Sequence, residues 1–489
     1  MPALTEGSLP SERAQSVMAE GGINAALNTK DENDSPEEHF TDTIKAACGL
    51  ADPNAVWGMT QAAPELVHWL LKLGVKFNMS GYDDVDLRNF GGQKKKRTAF
   101  AQSDTGKQIM TAMIDAVRRK EASGMVERFS HHSFLTLRLC GNICCGCVIR
   151  DEYSQETVEL PGDAVIVATG GMHGLFGNTT GSLSNTGEVT AELFRLGVPL
   201  ANGEMIQYHP TTVKCGGKRM LISEAARGEG GRLFAMKDGK QWYFMEEKYP
   251  ELGNLMPRDI TAREIWKVSH ESEVFLDMTE ISEEIISNKL SGLADDCMTY
   301  LHKDIRKEPV SVLPGIHYFM GGILVDEQHR TPIQNLYAAG ECCAQYHGAN
   351  RLGGNSLLGA LYGGRVAAKS ACEQADVVDL SCATQIDFPP ASQISEIKQL
   401  NKVMQETMGV VRNENTLLNG IQTVQALTGN LPLLGMAVLK SALARKESRG
   451  AHWREDYPKS NDDDYLKTTV ARFDGKQIQI SFVPVPERR

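Results

Sequence analysis

The chain has 489 residues, which exceeds the number that a single hydrophobic core usually organises, so two or three domains are expected. Its 51 Lys and Arg residues against 62 Asp and Glu residues give a formal net charge of −11, which argues against nucleic acid or an anionic membrane surface as the main partner. No window reaches the run of about 20 apolar residues that a membrane-spanning helix needs, and no secretory signal is visible. The 11 cysteines lack the spacing of a disulfide framework, which favours a reducing cytoplasm.

The first part of the chain is predicted to be rich in helix. EEHFTDTIKAACG, AAPELVHWLLKLGV and KQIMTAMIDAVRRK carry apolar residues at helical spacing. Residues 125–170 alternate like strands, and their cysteine group, Cys140, Cys144, Cys145 and Cys147, is interpreted as a hairpin turning at Gly141-Asn142. Neighbouring strand residues point to opposite faces, so a metal site is not predicted here.

Two segments, DAVIVATGG and NLYAAGE, are predicted to be buried parallel strands that end on glycines, as strands do where they meet a ligand. Between them, residues 203–318 lack a parallel-strand rhythm and are interpreted as an inserted second domain. ISEIKQLNKVMQETMGV and LGMAVLKSALARKES predict amphipathic helices of a terminal domain. We therefore predict an α/β chain with a discontinuous first domain (1–202 and 319–392), an insert (203–318) and a helical domain with a tail (393–489).

Five loop-like segments place His, Arg or Glu among glycines or beside proline, where functional side chains are commonly displayed. They are GEMIQYHPTT with His209, LISEAARGEGG with Glu224 and Arg227, LMPRDIT with Arg258, LPGIHYFMGG with His317, and YHGANRLGGNSLLGA with Arg351. Each segment alone also has a structural explanation: a histidine beside proline is usually structural, RGEGG is often a turn, and such an arginine often pairs with a nearby carboxylate.

Taken together, the motifs resemble one family. The matching segments are AEGGINAAL, FGGQKKKRTAFAQSDTG, VIVATGG, QYHPTT, SEAARGEGG, MPRD, HYFMGGI, LYAAGE, HGANRLGGNSL and ARKESRGAH. In family order and over almost the whole chain, they resemble the succinate dehydrogenase and fumarate reductase flavoproteins, a family that also includes L-aspartate oxidase. The resemblance implies an α/β fold with a Rossmann-like FAD-binding domain, an inserted α+β capping domain and a C-terminal helical domain. It implies that fumarate and succinate are interconverted by hydride transfer between flavin N5 and the dicarboxylate.

The resemblance also assigns residues to the substrate. In that family two histidines and an arginine, here His209, His317 and Arg351, hold the carboxylates of a C4 dicarboxylate, and Ser223 stands where threonine is commoner. Arginine suits this role because its planar fork pairs bidentately with carboxylate. Arg258 matches the proton donor, and Glu224 and Arg227 match the relay that reprotonates it.

Phe90 bears on the choice of substrate. It stands where L-aspartate oxidase is expected to have an acidic partner for the substrate ammonium. An unpaired buried cation is costly, so an unsubstituted dicarboxylate is favoured and L-aspartate oxidase is the alternative enzyme.

The FAD contacts that the resemblance implies are Glu6, Gln15, Gly21, Gly22, Ala168, Thr169, Gly170, Gly171, Glu188, Gly340, Glu341, Asn355, Ser356 and Leu357. Glu188 replaces the family's usual aspartate. Gln15 stands where the membrane-linked enzymes carry a histidine bonded covalently to FAD. Glutamine cannot form that bond, so non-covalent FAD is predicted, and we expect a lower flavin potential that favours fumarate reduction.

The start of the chain departs from the family pattern. No G-x-G-x-x-G follows an initial strand, and PALTEGS is interpreted as the tail of a second strand, so the first βα unit is expected to be missing. An inactive truncated fragment is therefore the alternative from another functional class. ARKESRGAH resembles the quinone-linked and aspartate-oxidase branches of the family, and the resemblance to the former implies an iron–sulfur subunit as a candidate electron partner. The chain has no ferredoxin-like cysteine spacing of its own. The expected location is the cytoplasm, or the inner face of the cytoplasmic membrane through partner subunits.

Overall fold

A computed structural model describes residues 3–5, 11–81, 84–182, 184–375, 388 and 394–489. The α-helices in this part of the chain are α1 (Pro36–Ala46), α2 (Pro53–Leu73), α3 (Thr105–Ala122), α4 (Glu188–Arg195), α5 (Glu224–Gly228), α6 (Phe244–Lys248), α7 (Arg258–Val268), α8 (Glu283–Lys289), α9 (Ser291–Asp296), α10 (Asn355–Gln374), α11 (Ile394–Thr407), α12 (Glu414–Val424), α13 (Asn430–Ala444) and α14 (Asp462–Tyr465). The strands are β1 (Ala3–Thr5), β2 (Ile23–Asn24), β3 (Leu87–Arg88), β4 (Thr98–Ala99), β5 (Glu127–Phe129), β6 (His132–Cys140), β7 (Ile143–Asp151), β8 (Thr157–Pro161), β9 (Val165–Val167), β10 (Leu200–Ala201), β11 (Ile206–Cys215), β12 (Lys218–Leu221), β13 (Arg232–Lys237), β14 (Lys240–Trp242), β15 (Val274–Asp277), β16 (Val310–Ser311), β17 (Leu313–Phe319), β18 (Gly322–Leu324), β19 (Leu336–Ala338), β20 (Cys343–Ala344), β21 (Lys467–Phe473) and β22 (Ile478–Pro484).

The two predicted ligand-facing strands are present and pair with each other. β9 and β19 run parallel, with Val165 opposite Leu336 and Val167 opposite Ala338. Their carboxyl ends therefore lie at the same edge, the position at which doubly wound α/β folds bind nucleotides. The prediction that β9 is fully buried is wrong, because Ile166 is 41% exposed on the face opposite Val165 and Val167. The strand expected at PALTEGS is also present as β1, which pairs in parallel with β5.

The three helices predicted in the first part of the chain are confirmed as α1, α2 and α3. The Ser35 side chain accepts a hydrogen bond from the Glu38 amide at the start of α1, and Asp52 caps α2 in the same way. α2 ends at Gly74, whose φ of 99° is costly for other residues. The apolar face of α2 packs, together with β2 and α10, into one core cluster.

The cysteine-rich segment forms the predicted hairpin. β6 and β7 pair antiparallel up to Cys140 opposite Ile143, so Gly141-Asn142 occupies the turn. Cys144 and Cys145 are both buried. Cys140 is disulfide-bonded, a link that the cysteine spacing did not predict.

The predicted insert has its own hydrophobic core. A four-stranded sheet of order β14-β13-β15-β16 packs with α5 to α9 around a cluster that includes Leu233, Ile265, Leu276 and Val310. This is the α+β architecture expected for residues 203–318, and the boundaries themselves stay a prediction. The chain enters the insert along β11 and leaves it along β17, and these two strands pair antiparallel. Their pairing brings together segments that are distant in sequence, at the place where the insert joins the rest of the chain.

The C-terminal part is not purely helical. α11, α12 and α13 pack into a core cluster with α4. α11 and α13 are the two helices that the patterns predicted, although α13 is buried on most sides instead of being amphipathic, and α12 was not predicted. The segment predicted as a tail contains instead the hairpin β21–β22, which extends a sheet of order β20-β18-β10-β21-β22. Burial of Val470 and Ala471 against β10 explains why this segment is ordered. No helix among the described residues has the length and apolar character to cross a membrane.

Candidate active site

A cavity of about 340 Å³ lies where the ends of β9 and β19 meet the insert. Most of the predicted site residues line it, namely Gln15, Gly21, Gly22, Phe90, Ala168, Thr169, Gly170, His209, Ser223, Glu224, Arg258, His317, Gly340, Glu341, Arg351, Ser356 and Leu357. Their segments are far apart in sequence, so the fold assembles the cavity from the first domain, the insert and the strands that join them.

The pairing of β11 with β17 brings the two predicted histidines together. The ring centroids of His209 and His317 are 5.1 Å apart, and the rings meet edge to face. Nδ1 of His317 lies 2.8 Å from the Thr180 hydroxyl, and Nδ1 of His209 lies 3.1 Å from the carbonyl oxygen of Thr211. Nε2 of His209 is buried without a hydrogen-bond partner among the described residues. It is therefore available to a ligand in the cavity.

Both histidines are neutral at neutral pH. Burial lowers the pKa of His209 and of His317 well below 6.5, and the neighbouring Arg258 guanidinium lowers both further. Arg351 adds to this effect at His317. A neutral imidazole can hold a ligand by hydrogen bonding without adding a buried charge.

Arg258 begins α7, directly after Pro257, and its guanidinium is fixed by two acceptors. Nε donates to Oε2 of Glu224 over 2.7 Å, and Nη1 donates to Oε1 of Gln207 over 3.0 Å. Nη2 lies 2.6 Å from the same oxygen of Glu224, so the pair is held through two nitrogen atoms. Such a fork fixes the orientation as well as the position of the guanidinium.

Glu224 connects Arg258 to a second arginine. Nη2 of Arg227 lies 3.5 Å from Oε1 of Glu224, which also accepts a hydrogen bond from the Gly91 amide. Burial alone would raise the pKa of Glu224, but Arg258 and Arg227 outweigh it and lower that pKa, so the group is a carboxylate. Arg227 itself does not line the cavity; its Nη1 donates to the carbonyl oxygen of Asn254. The three residues form a chain that leads from the cavity inward.

Arg351 supplies a further cation. Its guanidinium carbon lies 4.2 Å from the centroid of the Tyr318 ring, and its buried Nε has no hydrogen-bond partner among the described residues. Burial, with Arg258 nearby, lowers the pKa of Arg351 to about 9, so the group keeps its charge at neutral pH. A buried, incompletely paired guanidinium of this kind is suited to an anionic ligand.

The other part of the cavity is lined by backbone and small residues. Gly340 adopts a φ of 80° at the end of β19, and Gly354 adopts a φ of 84° just before α10 begins. Ser356 and Leu357 in the first turn of α10 face the cavity, and a helix N-terminus favours negatively charged groups. Glycine-lined strand ends beside a helix N-terminus suit a dinucleotide such as FAD.

Several predicted contacts lie elsewhere. Gly171 packs against Glu341, where an added Cβ would lie 2.7 Å from Oε1, and Glu188 is exposed at the start of α4. The side chain of Asn355 is directed away from the cavity, since it bonds to Asn24 and Thr43. Gly171, Glu188 and Asn355 therefore do not line the cavity. Glu6 lies outside the described residues.

The structure also brings residues to the cavity that the sequence analysis did not single out. Glu20, Asn185 and Tyr318 line it, and Gln207 accepts a hydrogen bond from the Arg258 guanidinium. Two of them had a signal in the sequence. Gln207 lies two residues before His209 on β11, and period-two alternation places such residues on one face. Glu20 directly precedes the Gly21-Gly22 pair.

Comparisons with known proteins identify the families that the chain matches. Residues 8–357 match the model of the FAD binding domain family, and residues 427–488 match the fumarate reductase flavoprotein C-terminal family. The succinate dehydrogenase flavoprotein subunit of Bacillus subtilis is 37% identical, over 98% of this chain and 93% of its own length. L-aspartate oxidase of Nostoc is 32% identical, over 93% of this chain and 86% of its own length.

A solved structure gives the same picture for the fold. An E. coli quinol fumarate reductase superposes with a TM-score of 0.89 at 27% identity, covering 99% of this chain and 92% of its own. The resemblance drawn from the sequence motifs and the predicted fold class are thus confirmed. The chain belongs to the succinate dehydrogenase and fumarate reductase flavoprotein family, whose members are FAD-dependent oxidoreductases.

Proposed function

We propose that this flavoprotein interconverts fumarate and succinate, with fumarate reduction favoured. The observation that carries the proposal is the set of buried groups at the cavity that lack partners. Nε2 of His209 and Nε of Arg351 are unpaired among the described residues, beside the fixed guanidinium of Arg258. Buried polar groups of proteins normally have partners, so an unpaired set in one cavity indicates a ligand that pairs with them. Two carboxylates at the ends of a short ligand meet that need.

In the proposed complex, His209, His317, Arg351 and Ser223 bind the two carboxylates. Both imidazoles are neutral, so Arg351 and Arg258 provide the charge that offsets the dianion. The same cations stabilise the negative charge that develops on the substrate as the alkene is reduced. Phe90 contributes an apolar wall.

FAD, when bound, supplies the hydride or accepts it. Arg258 gives the matching proton to the other alkene carbon of fumarate, so that one hydride and one proton produce succinate. A guanidinium gives up a proton reluctantly. The proposal therefore assigns its reprotonation to Glu224, which contacts it directly, and to Arg227 behind Glu224. In the direction of succinate oxidation the same residues take the proton away.

The residues that we propose to hold FAD are those at the glycine-lined part of the cavity. They are Gln15, Gly21, Gly22, Ala168, Thr169, Gly170, Gly340, Glu341, Ser356 and Leu357. Gln15 lines this part of the cavity, and its amide cannot form the covalent bond of a histidine. We therefore propose non-covalent FAD and, with it, a flavin potential that favours fumarate reduction.

L-aspartate oxidase is the second candidate, because the Nostoc enzyme of that name is a relative. Phe90 argues against it. Its buried aromatic ring leaves a substrate ammonium without an acidic partner at that position.

The names of the relatives also bear on partners, since the B. subtilis protein is a flavoprotein subunit. We propose that an iron–sulfur subunit carries electrons to or from this chain. Any contact with the inner face of the cytoplasmic membrane would then pass through partner subunits.

The test is a flavin spectrum of the purified chain, recorded with and without added FAD. We expect bound flavin that is bleached by dithionite and recovers its absorbance on addition of fumarate. Bound flavin that ignores fumarate but is bleached by L-aspartate would transfer the proposal to L-aspartate oxidase. A protein that gains no flavin would contradict the proposed activity for this polypeptide and favour an inactive fragment.

A further inference from the structure

Glu20 is a half-buried acid in the cavity to which no role has been given. It directly precedes Gly21 and lines the same cavity as His209 and Arg351. Its Oε2 is shielded from solvent and has no hydrogen-bond partner among the described residues. Ser223, the residue proposed to bind a ligand carboxylate, lines the same cavity and is close enough to influence the Glu20 carboxyl. Glu20 therefore lies beside the proposed ligand position and has one oxygen atom without a partner among the described residues.

The groups that face Glu20 are mostly acidic. Asp104, at the start of α3, and Asp296, at the end of α9, act on it electrostatically, and the buried thiol of Cys297 is close enough to respond to it. The cation that faces it is Arg88 on β3.

Arg88 does not hydrogen-bond to the carboxyl of Glu20. Its Nε and Nη2 donate to backbone carbonyl oxygens of Gly21, Glu20 and Gln102, at 2.6 to 3.1 Å. Its Nη1 is buried without a partner among the described residues. The guanidinium thus fixes the backbone beside the cavity, and its charge acts on the carboxyl from a distance.

These surroundings favour the protonated acid. Burial raises the pKa of Glu20 to about 8, with Asp296 and Asp104 adding to the shift, while Arg88 and Ser223 oppose it. At neutral pH the side chain is thus mostly a carboxylic acid, which has an O–H to donate. A ligand carboxylate is a strong acceptor for such a donor.

We propose that Glu20 is a further specificity-determining residue, which donates a hydrogen bond from its carboxylic acid to a carboxylate of the bound dicarboxylate. This inference rests on the proposed function. Two neighbouring carboxyl groups in a buried site share one proton, since both cannot ionise at low cost. Binding of the dicarboxylate is therefore coupled to the proton on Glu20. An ammonium substituent would instead prefer the ionised form, so the neutral acid selects for unsubstituted dicarboxylates.

The experiment is isothermal titration calorimetry of fumarate and succinate with the flavin-loaded protein between pH 7 and pH 9. We expect the Kd to be constant below about pH 8 and to rise towards tenfold per pH unit above it, because one proton is required. At pH 8, titrations in two buffers of different ionisation enthalpy should show uptake of about half a proton.

Two variants separate this role from a structural one. Glu20→Gln keeps a donor at every pH, so its Kd should change by less than about threefold up to pH 9, where Arg351 begins to lose its charge. Asp296→Asn removes a neighbouring acid without touching the cavity, so the rise in Kd should begin at a lower pH than in the unmodified protein. If Glu20 only supported the fold, neither substitution would shift the pH dependence of the Kd.

Three results would overturn the inference. The first is an identical pH profile for Glu20→Gln and the unmodified protein. The second is a higher affinity of the unmodified protein than of Glu20→Gln for L-aspartate, with a difference that grows towards pH 9. That result would make Glu20 an ionised partner for an ammonium group. The third is the failure of fumarate and succinate to bind at any pH, which contradicts the proposed function and removes the inference with it.

Discussion

In the proposed reaction, one side chain, Arg258, donates the proton. Two of its nitrogen atoms contact Glu224 and a third contacts Gln207. A lysine ammonium is a point charge that cannot reproduce this fork.

We therefore expect Arg258→Lys to lower kcat for fumarate reduction by about 10²–10⁴-fold, while KM changes much less. The check is steady-state reduction of fumarate with an artificial electron donor. Arg263→Lys is the matched control on the same helix, since Arg263 packs over Trp453 at 4.0 Å, outside the cavity. Equal losses in both variants would show that α7 is sensitive as a whole and that Arg258 has no special role.

Gln15 gives a second prediction at this scale. Its amide lines the cavity but cannot bond covalently to the flavin. After precipitation with acid, all flavin absorbance should be found in the supernatant, and the denatured chain should show no flavin fluorescence on a gel. Flavin that stays with the pellet would contradict the prediction.

The residues of the site differ in how readily the sequence reveals them. His209, Arg258, His317 and Arg351 stand in motifs whose neighbours are glycine or proline, so the pattern identifies them. Glu20 could not be assigned in this way, because its raised pKa arises first from desolvation in the assembled fold and then from Asp296 and Asp104, which are distant in sequence. Desolvation and through-space charge depend on the assembled fold and leave no local pattern.

Among the elements, α10 depends on a buried polar network at its first turn. The Asn355 side chain bonds to Asn24 over 2.8 Å, to His39 over 2.9 Å and to Thr43 over 3.0 Å. Gly354 and Ser356 on either side of it face the cavity, so this network holds the helix end in place.

Asn355→Ala should lower the free energy of unfolding by about 1–3 kcal/mol, since it leaves several buried groups unpaired, and should also weaken FAD binding. Urea unfolding and FAD titration measure the two effects. Asn419→Ala, at an exposed position of α12, is the control and should change neither. Unchanged FAD affinity with lowered stability would restrict the network to a structural role.

The elements that the sequence predicted share a strong local signal. α1 and α2 have caps and apolar faces, and the β6–β7 hairpin has a glycine turn. β21 and β22 were not predicted, although they alternate, because the hairpin that they form is anchored by the pairing of β21 with β10, which is far away in sequence. The exposure of Ile166 in β9 was missed for a similar reason, since an apolar run cannot reveal which face another layer covers.

For the whole molecule, buried histidines govern the response to acid. Burial lowers the pKa of His39, His209, His317, His329, His347 and His452. Below about pH 6.5 the unfolded chain binds protons that the folded chain does not bind. The stability that these groups provide is therefore present above pH 6.5 and is lost as the pH falls.

We expect the free energy of unfolding to fall by at least about 2 kcal/mol between pH 7.5 and pH 5.5. Urea unfolding at both pH values measures it. His347→Gln should reduce this difference, and His68→Gln, at an exposed position of α2, should not. Equal or higher stability at pH 5.5 would contradict the prediction.

The position of β21 in its sheet has a consequence for synthesis in the cell. β10 is paired on one side by β18 and on the other by β21, so its second neighbour leaves the ribosome long after β10 itself. Pairing between such distant segments is slow, and an open strand edge invites contacts with other chains in the meantime. Until the last hairpin emerges, the nascent polypeptide therefore exposes one edge of β10 to such contacts. A chain that ends before β21 would leave this edge of β10 unpaired, which makes the last 23 residues of the chain a condition for a protected sheet edge.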